Sequence, residues 1–131
     1  MNLEIKGNKY PLVWGMGAIE EYCDMLDCDI TDIDAHLTSD KVITKIKAMN
    51  SLTFCALKNG CENNYPKIDF DITMHDLRVW LDVQPQEIAN SIIEDWKKSY
   101  YFGKTIAEYF FGEIPEDKDK RVSKKKPLLE K

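Results

Sequence analysis

Two histidines are the side chains best suited to acid–base or nucleophilic chemistry at neutral pH, because imidazole titrates in that range. They are His36 and His75. A Ser-His-acid set is recognised by geometry, and the spacing around these histidines does not indicate one. His75 stands beside Asp76 in the first turn of a predicted helix, which favours a surface histidine. The sequence therefore predicts no catalytic residue, and we expect a protein that is not an enzyme.

Four cysteines are the next candidates for chemistry, as metal ligands or nucleophiles. Four residues separate Cys23 from Cys28, and five separate Cys55 from Cys61. Structural zinc sites usually have two to four residues between paired ligands, and the chain has no histidine pair to complete such a site. The spacing favours reduced thiols that pack as small apolar residues. We expect neither a metal nor another cofactor.

An acidic run and the scattered glycines complete the search for chemistry. The run contains Asp24, Asp27, Asp29, Asp32 and Asp34. A calcium-binding EF-hand loop requires a central glycine and a closing glutamate, and both are missing here. No glycine-rich phosphate loop occurs either. The run is therefore interpreted as a solvated acidic face.

Charge is distributed unevenly along the 131 residues. Residues 115–131 contain seven Lys or Arg and four acids, a net charge of +3, which leaves 11 bases and 19 acids, net −8, in residues 1–114. An acidic body repels phosphate backbones, so the sequence argues against nucleic acid as a partner. No run of 18 apolar residues and no signal peptide is evident, so we expect no membrane contact and a reducing cytoplasm. Residues 113–131 are predicted to form a disordered charged tail.

The order of predicted elements indicates an α+β fold that is mainly α, with an N-terminal β-hairpin and a bundle of about four helices. The hairpin spans Asn2 to Trp14 and turns at Gly7-Asn8, with Pro11 facing an open edge. A helix over Met16–Leu26 follows. A Thr31–Asp34 capping box then opens a short turn that ends at Leu37.

Three longer segments complete a single domain over residues 1–112. A helix is predicted from Asp40 to Asn59, where Gly60 ends it. Its inner face is predicted to hold Val42, Ile46, Met49, Thr53, Ala56 and Leu57. A Thr73–Asp76 capping box starts a helix over Met74–Leu81. Pro85 opens a long last helix, whose stripe is predicted to continue past Gly103 and to contain Ala89, Ile92, Ile93, Trp96, Tyr100, Ala107 and Phe110.

Aromatic residues are concentrated near the end of that last helix. Residues 100–111 contain six of the 14 aromatic residues in the chain. On one helix these side chains would point around most of the circumference, whereas a core contact covers only one stripe. Two interpretations stay open, a helix buried deep in the core and a surface that binds a partner. The predicted contact residues are Tyr101, Phe102, Ile106, Tyr109 and Phe111.

Motif order adds a family resemblance that covers roughly residues 1–112. The hairpin sequence Leu3-Glu4-Ile5-Lys6-Gly7-Asn8-Lys9-Tyr10-Pro11-Leu12 leads directly into Gly17-Ala18-Ile19-Glu20-Glu21-Tyr22. Later, the stretch from Leu77 to Ile93 contains Gln84-Pro85-Gln86-Glu87 at the start of the last helix. This order resembles the tail assembly chaperones of long-tailed bacteriophages and prophages.

The resemblance implies a protein in the cytoplasm of a bacterial host that keeps the tape measure protein soluble and is absent from the finished virion. It also implies self-association, and a longer frameshifted form that recruits tail tube subunits. Lys124-Lys125-Lys126 suits an A-rich slippery sequence, whereas a lysine-rich tail departs from the acidic linkers common in the family. Three alternatives remain: a phage structural protein such as a head–tail connector or tail component, a small enzyme built around His75, and a small host regulatory or antitoxin-like protein-interaction domain.

Overall fold

Helices form most of the fold, and an antiparallel hairpin stands at its N-terminus, which confirms the predicted fold class. The structure is a computed structural model that describes residues 1–101 and 103–112, with only the backbone of residues 109–111. The elements are β1 (Asn2–Ile5), β2 (Asn8–Pro11), α1 (Met16–Leu26), a 3-10 turn (Ile30–Asp32), α2 (Ile33–Leu37), α3 (Val42–Asn63), α4 (Met74–Asp82), α5 (Gln86–Lys97), β3 (Tyr100–Tyr101), β4 (Lys104–Thr105) and α6 (Ile106–Phe111). The predicted tail, residues 113–131, lies outside the described residues.

The N-terminal hairpin turns one residue earlier than predicted. Ile5 pairs with Asn8, so the two turn residues are Lys6 and Gly7, with φ of 54° and 81°. Two consecutive residues with positive φ match the twist of the flanking strands, and Gly adopts this conformation without strain. The alternation of the strands is unaffected, and Leu3 and Ile5 are buried as the pattern required.

The long helix α3 is the central element, and it passes through the position that was predicted to end it. It continues to Asn63 and contains Gly60. A Cβ at Gly60 would lie 2.9 Å from the carbonyl carbon of Pro11 and closer still to its oxygen. This glycine therefore allows β2 to approach the helix backbone. The edge of β2 next to Pro11 is covered by α3 rather than open, and the Val13 N–H donates to the Ala56 carbonyl at 3.2 Å.

One of the two predicted capping boxes is confirmed, and the other is displaced by two residues. At α4, the Asp76 N–H donates to the Thr73 hydroxyl at 3.1 Å, and the Thr73 N–H donates to the Asp76 carboxylate at 2.9 Å. The predicted Thr31–Asp34 box does not form. Instead Asp29 begins the 3-10 turn, with its N–H donating to the Asp32 carboxylate at 2.9 Å.

The predicted last helix is divided into two by a small hairpin. Helix α5 ends at Lys97, and the Ser99 hydroxyl donates to the Trp96 carbonyl at 2.6 Å. Strands β3 and β4 then pair across a turn in which Gly103 has φ of 82°. A third capping box, between Thr105 and Glu108, begins α6. Because the chain reverses direction here, the aromatic residues do not share one helix.

Two apolar clusters form the core on either side of α3. The first joins the N-terminal hairpin to α3, α4 and α5 around residues such as Tyr10, Leu57 and Ile92. The second joins α1, α2 and α3 to Trp96 and Ile106. In the described part of the chain, no helix combines the length and apolar character needed to cross a membrane.

Candidate protein-binding surface

Of the five predicted contact residues, the structure describes the side chains of two, Tyr101 and Ile106. Tyr101 is half-buried and packs against the second cluster. Ile106 is 2% exposed and belongs to that cluster. Phe102 lies outside the described residues, and for Tyr109 and Phe111 only the backbone in α6 is described. Tyr101 and Ile106 thus lie close together, but they do so in the second apolar cluster and not on a shared exposed surface.

Ile106 corrects the sequence interpretation most directly. It was assigned to a partner surface because a single helix through residue 106 would have turned it away from the inner stripe. The β3–β4 hairpin resets the direction of the chain, and the Ile106 N–H donates to the Ser99 carbonyl at 2.9 Å. This bond folds Ile106 back onto the end of α5. In this conformation the side chain is therefore unavailable to a partner.

An exposed apolar surface occurs instead on the first two turns of α3, where Val42 is 64%, Ile43 73% and Ile46 50% exposed. We call these three residues the α3 stripe. Residues three and four apart on a helix are neighbours, so Ile46 adjoins both of the others. One turn further along the same face, Met49 and Asn50 are already covered by the fold. The α3 stripe is thus an apolar helix face that continues beyond the core.

Lysines surround the α3 stripe. Lys41, Lys45 and Lys47 are all exposed on the same turns. From position 41 to position 61 the chain contains no acidic residue, although residues 1–114 carry a net charge of −8. An apolar face with a basic border is therefore a local exception on an acidic protein. Such a surface is complementary to an apolar helix face with an acidic border.

The cysteines have the properties of core residues rather than nucleophiles. Burial raises the pKa of Cys55 to about 12. Burial, and then the adjacent Cys28, raise the pKa of Cys23 to about 12. The thiolate is the reactive and metal-binding form of cysteine. At neutral pH both groups are protonated, and their contribution is packing.

The histidines do not assemble with other groups into a reactive set. His36 Nδ1 lies 3.0 Å from the hydroxyl of Tyr22, whose pKa is raised above its usual value by burial and then by the neighbouring thiols. A cavity of about 160 Å³ beside this pair is lined by Leu26, His36, Thr44 and Lys47. His75 is exposed, as expected. Among the described residues, no group of three or more His, Cys, Asp or Glu side chains is arranged to hold a metal ion.

The α3 stripe was missed because Val42 and Ile46 were assigned to the inner face of their helix. Both residues do lie on the helical face that enters the core. They are nevertheless exposed, because the core begins only one turn further along α3. A signal was present in the sequence: Ile43 widens the apolar face at the first turn, and lysines follow it closely. A helix that buries a single face in the core does not require a further apolar residue such as Ile43 beside that face.

Comparison with known proteins gives no family assignment. No family model matches the chain, and neither a curated protein nor a solved structure matches it.

Proposed function

We propose that this protein is a tail assembly chaperone that binds an apolar helical segment of a phage tape measure protein on the α3 stripe and keeps it soluble before assembly. The observation that carries the proposal is the exposure of Val42, Ile43 and Ile46 on a helix that is otherwise central to the core. A helix rooted in the core presents these side chains in a fixed arrangement. The partner's helix can therefore bind without first ordering the surface.

The chemistry of the surface defines the segment that it would hold. Three aliphatic side chains favour an amphipathic helix that places its own apolar residues at matching spacing. Lys45 and Lys47 favour acidic residues on the borders of that helix. The resemblance to tail assembly chaperones supplies the identity of the partner, because tape measure proteins are long and rich in apolar helical segments.

The aromatic residues stay a prediction as additional contacts. Tyr100 is 70% exposed at the start of the β3–β4 hairpin. Tyr101, Phe102, Tyr109 and Phe111 were predicted to bind the partner, and their role is separable from that of the α3 stripe by mutation. A tail tube subunit is the second partner that the resemblance implies.

Co-expression with a tape measure protein from the same genome tests the proposal. The full chain should keep that protein in the soluble fraction and co-purify with it. The variant Val42→Gln, Ile43→Gln, Ile46→Gln should lose this effect while its melting temperature changes little, because these positions are exposed and Gln favours helix more than Val or Ile. Each anchor of hot-spot quality contributes ~2 kcal/mol, which is ~30-fold in affinity.

Exposed aliphatic residues at the C-terminal end of α4 provide a control. Val79 and Val83 are 52% and 78% exposed, and they are four residues apart. The variant Val79→Gln, Val83→Gln removes exposed aliphatic side chains from the end of a different helix and should leave binding unchanged. Equal loss of binding in both variants, or recovery of this protein as a component of purified virions, would contradict the proposal.

A further inference from the structure

The two edges of the N-terminal hairpin differ in what covers them. At its C-terminal end, the outer edge of β2 meets α3 through Pro11, which has no N–H to offer. The register of the hairpin pairs Leu3 with Tyr10 and Ile5 with Asn8. The Leu12 N–H donates to the Met1 carbonyl at 2.9 Å, so the hydrogen-bonded residues of this strand pair are the odd-numbered ones in β1. Antiparallel strands alternate bonded and non-bonded pairs. The backbone groups of Asn2 and Glu4 therefore point away from β2.

These outward groups have no backbone partner in the described part of the chain. Exposed strand edges are commonly blocked by proline, lysine or a bulge. The segment Asn2–Ile5 contains none of these. The next lysine along the chain, Lys6, is directed at α4, where its ammonium lies 3.4 Å from the Asp76 carboxylate. Lys9, which pairs with Glu4 across the hairpin, belongs to β2 and not to the open edge. The edge of β1 is therefore open to another strand.

A groove runs beside this open edge. Its volume is about 460 Å³, within the range of binding sites for small ligands. The strand side is formed by residues from Met1 to Glu4 and by Gly7, and the opposite side by Trp80, Gln84 and Ile88. Trp80 and Ile88 are half-buried and pack on the first apolar cluster. The groove thus combines a row of backbone donors and acceptors with an apolar wall.

We infer that this groove binds an extended segment of a partner protein as a third strand on β1, and that the segment alternates apolar and basic residues. Residues opposite Leu3 would face the helices and contact Trp80 and Ile88, because side chains alternate between the faces of a sheet. Residues opposite Asn2 and Glu4 would face solvent.

The basic preference comes from Glu4. It is the only charged side chain among the residues that line the groove, and it is exposed. The terminal ammonium of Met1 is directed elsewhere, 3.9 Å from the Asp95 carboxylate. This site differs from the α3 stripe in position, and it would bind an extended strand where the stripe would bind a helix. It can therefore be tested separately from the proposed function.

Titration of the full ¹⁵N-labelled chain with the acetylated, amidated peptide Lys-Val-Lys-Val-Lys tests the site. We expect chemical-shift changes and slower amide exchange at Asn2 and Glu4. The acidic counterpart Glu-Val-Glu-Val-Glu should bind more weakly. Shift changes confined to other surfaces, or equal binding of the two peptides, would overturn the inference.

Proline substitutions on the two strands give a matched pair. Glu4→Pro removes an outward N–H from β1, and Lys9→Pro removes the corresponding N–H from β2, while both leave the ladder between the strands intact. Glu4→Pro should weaken binding of the basic peptide by about tenfold or more, and Lys9→Pro should not. Equal affinities for the two variants would overturn the inference.

Two further variants test whether the charge of Glu4 sets the peptide preference and whether peptide binding is independent of the α3 stripe. Glu4→Gln keeps the backbone donor and should reduce the preference for the basic peptide by about two- to fivefold, as for a surface ion pair. The Val42→Gln, Ile43→Gln, Ile46→Gln variant should bind the basic peptide as the unmodified chain does. A preference unchanged by Glu4→Gln, or peptide binding lost in the α3 variant, would contradict the assignment of the site.

Discussion

Gly60→Ala should destabilise the protein, although a glycine inside a helix is normally improved by alanine. Alanine favours a helix by about 1 kcal/mol over glycine. Here the added methyl group meets the Pro11 carbonyl, which is backbone and cannot rotate aside. Relieving the overlap moves β2 away from α3, and overpacking of this kind costs about 1–3 kcal/mol.

The displacement also weakens the bond from the Val13 N–H to the Ala56 carbonyl, worth about 0.5–1.5 kcal/mol. The overpacking and the weakened bond together outweigh the gain in helix propensity, so we expect the free energy of unfolding to fall by about 0.5–3.5 kcal/mol. Urea denaturation followed by circular dichroism measures this change.

Gly17→Ala is the matched control, since Gly17 also lies within a helix. The added methyl group there meets the amide oxygen of Asn59 at 2.9 Å, the end of a flexible side chain. The gain in helix propensity and the cost of displacing the Asn59 side chain nearly cancel. We therefore expect the free energy of unfolding to change by less than about 1 kcal/mol. If Gly60→Ala were as stable as the unmodified chain or more stable, the close approach of β2 to α3 would be refuted.

Three further predictions concern single interactions. Thr73→Ala should lower the free energy of unfolding by about 1 kcal/mol, measured by urea denaturation, because the Asp76 N–H loses its cap. The Thr73 backbone N–H, and then Lys6, lower the pKa of Asp76 below its ordinary value of 3.8. This carboxylate therefore stabilises the fold above that pH, and the contribution is lost as the pH falls through the lowered pKa. Asp76→Asn should therefore flatten the acid limb of a stability–pH curve, and an unchanged limb would contradict the assignment. Tyr22→Phe should cost about 1 kcal/mol in thermal unfolding by removing the hydroxyl that bonds to His36, whereas a variant as stable as the unmodified chain would show that this bond contributes nothing net.

Local features of the fold were predictable from the sequence. Helix α1 has the predicted bounds, and the Thr73–Asp76 capping box forms as its residue types require. These features depend on residues within one or two turns of each other. The alternation of the N-terminal strands was predictable for the same reason.

Glycine roles were harder to predict because they depend on distant parts of the chain. Gly60 was interpreted as a helix end, but it is a contact point for β2, almost fifty positions earlier in the sequence. The apolar stripe predicted a helix that continues past Gly103, but Gly103 lies in a hairpin turn. In both cases the residue type indicated a special backbone requirement without saying which one.

The candidate surface shows the same limit. Amphipathic spacing placed Val42 and Ile46 on one face of α3 correctly, but where the core stops along a helix is decided by its neighbours. Ile106 was predicted to face outward on one continuous helix. The β3–β4 hairpin before it changes the direction of the chain, and its side chain is buried.

Trp14 and Met49 each contact both apolar clusters, and their position has a consequence for how the domain unfolds. Neither cluster can lose its packing without exposing side chains that the other also uses. The described part of the chain should therefore melt in a single cooperative transition, with coincident tryptophan fluorescence and circular dichroism. A ligand held at either the α3 stripe or the β1 groove would then slow the exchange of those amides, in both clusters, that open only when the described part of the chain unfolds as a whole.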